Sequence, residues 1–281
     1  MTHPARRLCM LVALALVVTV AACTEIVALP SGGKSFDPPA EYQLWWQMVE
    51  SCSGLHQSMS SVEWYVVPGD SGFPVKGGDY DGYWFEQGNH IVLTAGAQTD
   101  GAIVRHEMLH ALSRAGHTRY EFLERCAGVV ECDNECIGES GPPPAVPAGT
   151  PLVSTNDLEV NVEIQPAPAT ASTYGGYFAL IVTAHNPANH DVVVLLPPYG
   201  DGNLGVSFEY LIGTDSTSEV GSFDVALDAE ETYFRAGETK REIFDFAIGN
   251  TSDGRYPPGN YTVRGIFGGR ISAKIPFTLG P

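Results

Sequence analysis

Residues 99–117 read TDGAIVRHEMLHALSRAGH, and the rest of the chain is read outward from them. Ile103, Val104, Met108, Leu109, Ala111 and Leu112 recur at helical spacing, Thr99-Asp100 offers an N-cap and Gly116 offers a stop. On that helix His106 and His110 are four residues apart and share one face, close enough for both imidazoles to hold a single metal ion. Glu107 lies between them and points at the open side of such an ion, where it can take a proton from water.

A catalytic zinc takes three protein ligands and keeps one position open. His117, Glu121, Glu124 and Glu131 are the candidates that follow. His117 comes just after Gly116, where the chain can turn back. Glu121 and Glu124 sit in Tyr120 to Cys126, a stretch that reads as a second short helix. Arg105 and Arg114 read as solvated charges on the helix surface.

The H-E-x-x-H run of His106 to His110 resembles the signature of zincin-type zinc metallopeptidases. The resemblance implies hydrolysis of a peptide bond through a zinc-bound water, with Glu107 as general base and His106, His110 and His117 as ligands. The place of His117 is similar to the metzincin layout, H-E-x-x-H-x-x-G-x-x-H. It departs from that layout because His117 stands seven residues after His110 and no methionine follows Met108. A glutamate ligand, Glu121 or Glu124, is the gluzincin alternative.

Before the metal helix, Tyr42, Trp45, Trp46, Val49 and Cys52 predict a helix within 41–57, and 62–67 and 90–94 read as strands. The stretch 69–88, rich in Gly and Asp, reads as a loop carrying Tyr83-Trp84. Strand 90–94 is expected in the core or beside the cleft. Helix, sheet and metal helix together imply an α+β zincin-like domain over 41–140. The Pro-rich stretch 141–151 (GPPPAVPAGTP) reads as a linker.

Beyond it, short alternating runs near 158–164, 177–185, 190–196, 205–212, 241–248, 259–267 and 270–278 predict an all-β sandwich over 152–281. Ala236-Gly237-Glu238-Thr239 and Pro258-Gly259-Asn260-Tyr261-Thr262-Val263 resemble the last strands of immunoglobulin-like bacterial domains. They are loosely similar to the proteinase-inhibitor type of bacilli.

At the N-terminus, Arg6-Arg7 precedes an apolar run from Leu8 to Ala21, and Val20-Ala21-Ala22-Cys23 resembles a bacterial lipobox. Residues 1–22 are therefore expected to be a lipoprotein signal peptide, Cys23 the lipidated first residue, and 23–40 a tether. This predicts an exported, cell-envelope protein that meets the membrane only through its lipid. Cys52, Cys126, Cys132 and Cys136 remain, and export favours two disulfides. A bridge from Cys52 to one of the later three would tie the first helix to the segment after the metal helix. A zinc site on Cys126, Cys132 and Cys136 is the rival reading.

With 33 acidic and 15 basic residues and a net charge of −18, the chain does not suit nucleic acid or anionic lipid. The expected partner is a peptide or protein substrate. The alternative is a non-catalytic surface-binding or adhesion lipoprotein with a zincin-like fold.

Overall fold

The structure, a computed structural model, describes residues 29–75, 77–132, 136, 145–170, 173–195, 206–214, 219–227, 233–249 and 256–281. The expected signal peptide and lipidation site Cys23 lie outside the described residues, as do residues 23–28 of the tether and 141–144 of the Pro-rich stretch. No described helix is long and apolar enough to cross a membrane.

Helix α1 (Glu41–Ser53) forms where Tyr42, Trp45, Trp46, Val49 and Cys52 make one apolar stripe, and all five are buried. It stops at Gly54, whose φ of 64° suits a residue without Cβ and whose N–H donates to Glu50 O at 2.8 Å. Around it run β1 (Lys34–Ser35), β2 (Glu63–Val67), β3 (Phe73–Val75), β4 (Gly78–Tyr80), β5 (Gly82–Phe85) and β6 (His90–Thr94). Four of them form a sheet ordered β1-β2-β6-β5, while β3 and β4 pair as a separate hairpin.

Strand β6 is a core strand, parallel to β2 and antiparallel to β5, with Ile91, Val92 and Leu93 fully buried. The edge strand opposite β1 is β5. It lies in the stretch 69–88 that composition reads as a loop. Gly and Asp are poor strand formers, and there the pairing with β6 sets the conformation.

Helix α2 (Gly101–Ser113) begins as expected: the Asp100 carboxylate accepts from the N–H groups of Ala102 at 3.0 Å and Ile103 at 3.2 Å. Val104, Met108, Leu109, Ala111 and Leu112 are buried against α1 and the sheet. The helix ends at Ser113 rather than at Gly116, because Arg114 takes the left-handed conformation (φ 55°) and donates its N–H to His110 O. A π-helical stretch, Arg119–Arg125, follows. Cys52 bridges to Cys126, and Cys132 bridges to Cys136. The first bridge ties α1 to the segment after α2.

After residue 151 the described regular structure is strand with two short 3₁₀ turns. The strands are β7 (Leu152–Ser154), β8 (Glu159–Gln165), β9 (Ala169–Thr170), β10 (Tyr177–His185), β11 (Val192–Leu195) and β12 (Val206–Thr214). They continue as β13 (Glu219–Leu227), β14 (Tyr233–Phe234), β15 (Thr239–Ala247), β16 (Gly259–Phe267), β17 (Arg270–Ile271) and β18 (Ile275–Gly280). A β15-β10-β8 sheet shares a core with a β13-β12-β16-β18-β9 sheet: Phe178, Leu180 and Val182 meet Ile212, Val263 and Phe267. The chain is thus a mixed α+β protein, mostly strand. Strand β13 has no clear signal in the sequence, since Gly221, Ser222 and Asp224 weaken its alternation; its pairing with β12 defines it.

Strand β10 shows two faces. Phe178, Leu180 and Val182 point into the β core, while Ala179 and Ile181 join the core around α1, together with Ile243 of β15. The two halves of the chain therefore pack directly. Arg105 is at this junction. It is 3% exposed, not solvated, and its Nη1 donates to Asp245 Oδ2 at 2.6 Å. A guanidinium at that depth needs a carboxylate partner, and this one comes from 140 residues away. Arg114 is exposed, as its position suggested.

Candidate metal centre

The α2 spacing puts His106 and His110 one turn apart, and the reversal at Arg114–Gly116 brings His117 back over them. Three Nε2 atoms converge: His106 lies 2.9 Å from His117 and 3.2 Å from His110. The same reversal supplies an orienting group, because His110 Nδ1 donates to Ala115 O at 2.8 Å. His106 Nδ1 donates to Glu131 O at 2.7 Å.

These carbonyls fix the chemistry of the rings. A carbonyl oxygen only accepts, so each Nδ1 carries a proton, and in its neutral form each ring presents a bare Nε2 lone pair. His106 and His110 then aim two lone pairs at one place with no proton to share. A proton on His117 Nε2, 2.9 Å from His106 Nε2, or a metal ion held by all three rings satisfies these lone pairs. Ligands on a tetrahedral zinc, at about 2.0–2.1 Å from the metal, stand about 3.3 Å apart, close to the spacing here. Carbonyl acceptors behind ligating imidazoles are the usual means of fixing tautomer and ring plane. The donor set therefore fits a zinc-type ion. Burial, reinforced by the neighbouring His106 and His117, pushes the His110 pKa down to about 3, which favours the neutral ring.

Phe122, 1% exposed, packs its ring 5.1, 4.7 and 5.1 Å from those of His106, His110 and His117. It covers the three rings with apolar surface and does not line the cleft. On the other side Trp84 of β5 stacks on His110 at 5.8 Å with planes 5° apart. Its Nε1 donates to Asn89 Oδ1, and Asn89 donates to Ser61 O, which locks the indole.

Glu107 is 6% exposed and faces β5. A Cβ on Gly82 would stand 3.1 Å from Glu107 Cγ and 2.8 Å from Ile103 Cγ2, so a glycine is what lets the strand pass this close. The three imidazoles and Glu107 open into a cleft of about 840 Å³ walled by Val75, Tyr80, Tyr83, Trp84 and Phe85.

The other ligand candidates lie elsewhere. Glu124 Oε1 accepts from Arg235 Nη2 at 3.2 Å and Arg119 Nε at 3.3 Å, and Arg235 holds its carboxyl below the usual range. Glu131 contributes its main-chain carbonyl. Glu121 lies in the first turn of the π-helical stretch. Cys126 is spent in the bridge to Cys52, so a site on Cys126, Cys132 and Cys136 does not form. The Sγ atoms of Cys132 and Cys136 do lie within 4.8 Å of ligand nitrogens of His106 and His117. Gly82, Trp84, Asn89 and Phe122 have no sequence signal that marks them for this site; pairing and packing bring them in.

No family model matches the chain, and no curated protein matches it. Solved structures with partial likeness include the Pseudomonas fluorescens alkylpurine DNA glycosylase AlkC bound to DNA containing an abasic site analog. It is 16% identical over 44% of this chain and 31% of that one, at a TM-score of 0.30. A β-glucosidase from Erythrobacter marinus is 12% identical over 43% of this chain and 15% of that one, at a TM-score of 0.26. The putative ApaA protein from Bordetella pertussis is 15% identical over 44% and 94%, also at 0.26. The chain thus spans less than a third of the first two. Scores this low carry nothing to the metal centre.

Proposed function

We propose that this protein is an exported, lipid-anchored zinc metallopeptidase with a zincin-like first half and an immunoglobulin-like second half. The observation that carries this reading is the convergence of three imidazole Nε2 atoms beside a buried Glu107 in an open cleft. His106, His110 and His117 would hold the zinc, which would supply a Lewis acid for a water and a peptide carbonyl. Glu107 takes the proton of the attacking water and hands it to the leaving amine. Trp84 and the carbonyls of Ala115 and Glu131 hold the ligand rings in place. β5 ends the described sheet order and can pair with an extended peptide, and the aromatic wall suits apolar side chains. A diacylglyceryl group on Cys23 anchors the protein to a membrane.

Purified protein is expected to bind about one zinc per chain and to cleave peptides. Glu107→Gln keeps the zinc and loses cleavage by about 10²–10⁴-fold. Wild-type protein that is folded yet binds no zinc at neutral pH overturns the reading.

A second reading has its own observation, the proximity of Cys132 and Cys136 to His106 and His117. Reduced, the two thiolates would close a Cys₂His₂ centre with no open position, which suits a non-catalytic surface-binding or adhesion lipoprotein. Cobalt substitution separates the two. A thiolate-to-metal charge-transfer band in protein isolated without reductant, with no cleavage, favours the closed centre.

A further inference from the structure

The rear of α2 is held by the second half of the chain. Arg105, next to His106 in sequence, is buried, and its polar contacts to Val129 and Asp245 lie away from the cleft. Its Nη1 donates to Asp245 Oδ2 and its Nε donates to Val129 O, each at 2.6 Å. The other Asp245 oxygen accepts from Trp45 Nε1 at 3.1 Å, and the guanidinium lies 6.0 Å from the Trp45 ring. Two glycines make room for this junction. A Cβ on Gly101 would come within 2.7 Å of Arg105 Nη1 and 3.1 Å of Trp45, besides meeting the Asp245 carboxylate. Gly128 (φ 73°) lies directly against the Arg241 backbone of β15, where no Cβ fits.

The segment 126–131 is thus pinned three times. Its start is bonded to Cys52, its middle is held by Arg105 and β15, and its end offers Glu131 O to His106 Nδ1. We infer that Asp245 is a positioning residue of the metal centre. It fixes Arg105, Arg105 fixes the Val129 carbonyl, and the segment so fixed presents the carbonyl that sets the tautomer and plane of His106. Without the carboxylate, a buried guanidinium loses its counter-charge and turns toward water, and Val129 loses its donor. The β-rich half then acts on the centre from behind, as no described residue after 151 lines the cleft. This inference rests on reading His106, His110 and His117 as zinc ligands.

The test uses full-length protein carrying Asp245→Ala or Asp245→Asn, with Arg235→Ala as a control that breaks the exposed ion pair between the same two halves. Zinc affinity is measured by competition with a chelator. Nitrogen-15 NMR of the metal-free protein reports the His106 tautomer. Loss of an orienting partner behind a metal ligand lowers affinity by about 10–100-fold. Asp245→Ala is expected to show that loss, and His106 to leave the single Nδ1–H tautomer while His110 keeps it. Asp245→Asn retains an acceptor for Arg105 and shows a smaller loss, and Arg235→Ala shows none. A folded Asp245→Ala that binds zinc within about threefold of wild type and keeps the His106 tautomer overturns the inference. If the alanine variant does not fold, Asp245→Asn decides: wild-type affinity together with a wild-type tautomer overturns it. If the wild type binds no zinc, the metallopeptidase reading fails separately, and the tautomer comparison still decides the role of Asp245.

Discussion

On the cleft side of α2, His106, Glu107 and His110 look across an open space of about 840 Å³ toward Gly82 and Trp84. On the far side Arg105 is 3% exposed and locked between Val129 and Asp245. The front pairs groups close in sequence, with 11 residues separating His106 from His117. The rear joins groups 140 residues apart. The front leaves polar atoms facing open space, where a metal and a substrate can use them. The rear excludes water, which strengthens a single ion pair and gives the helix one orientation. The same helix carries its chemistry locally and takes its setting from the whole chain.

Four substitutions bear on this contrast, in falling order of effect. At the front, Glu107→Gln removes the proton carrier and leaves the ligands, so activity falls by about 10²–10⁴-fold at constant zinc content. Lost zinc in that variant would show that Glu107 belongs to the scaffold as well. At the rear, Asp245→Ala moves metal affinity by about 10–100-fold, through an atom that touches no ligand. Gly82→Ala adds a methyl 3.1 Å from Glu107 Cγ and 2.8 Å from Ile103 Cγ2. It should lower kcat by about tenfold and leave zinc affinity unchanged, since small misplacements of a reacting group are costly. Unchanged kcat would mean that β5 yields at no cost to the centre.

Arg235→Ala is the smallest. Arg235 holds the Glu124 carboxyl below its usual range, so the folded state binds that proton less readily than the unfolded chain. The pair's stabilisation is present above the ordinary carboxylate range and is lost as pH falls through the lowered folded value. Urea unfolding at neutral pH should show a loss of about 0.2–1 kcal/mol, and the gap to wild type should close in acid. A gap that widens in acid contradicts the assignment of the pair.

Much of the site is legible in the sequence. Asp100 caps α2 as its position suggests, and the i, i+4 histidines share a face because helical geometry allows nothing else. The stripe of Tyr42, Trp45, Trp46, Val49 and Cys52 marks α1 for the same reason. The cleft wall is not legible. Residues 69–88 lack strand composition, and β5 exists through its ladder with β6. Arg105 looks like any surface cation on a helix until the packing of β15 buries it.

The sequence by itself determined a helix able to offer two imidazoles and a carboxylate on one face, because those residues are separated by a single helical turn. It also determined that His117 follows soon enough to return to them. Only the tertiary structure decided that His117 does return, that β5 and not β6 borders the cleft, that Phe122 covers the three rings, and that Asp245 reaches Arg105. Those contacts depend on which strands pair and which faces are buried. Such choices are made by the summed packing of the chain, and no local pattern of residues encodes them.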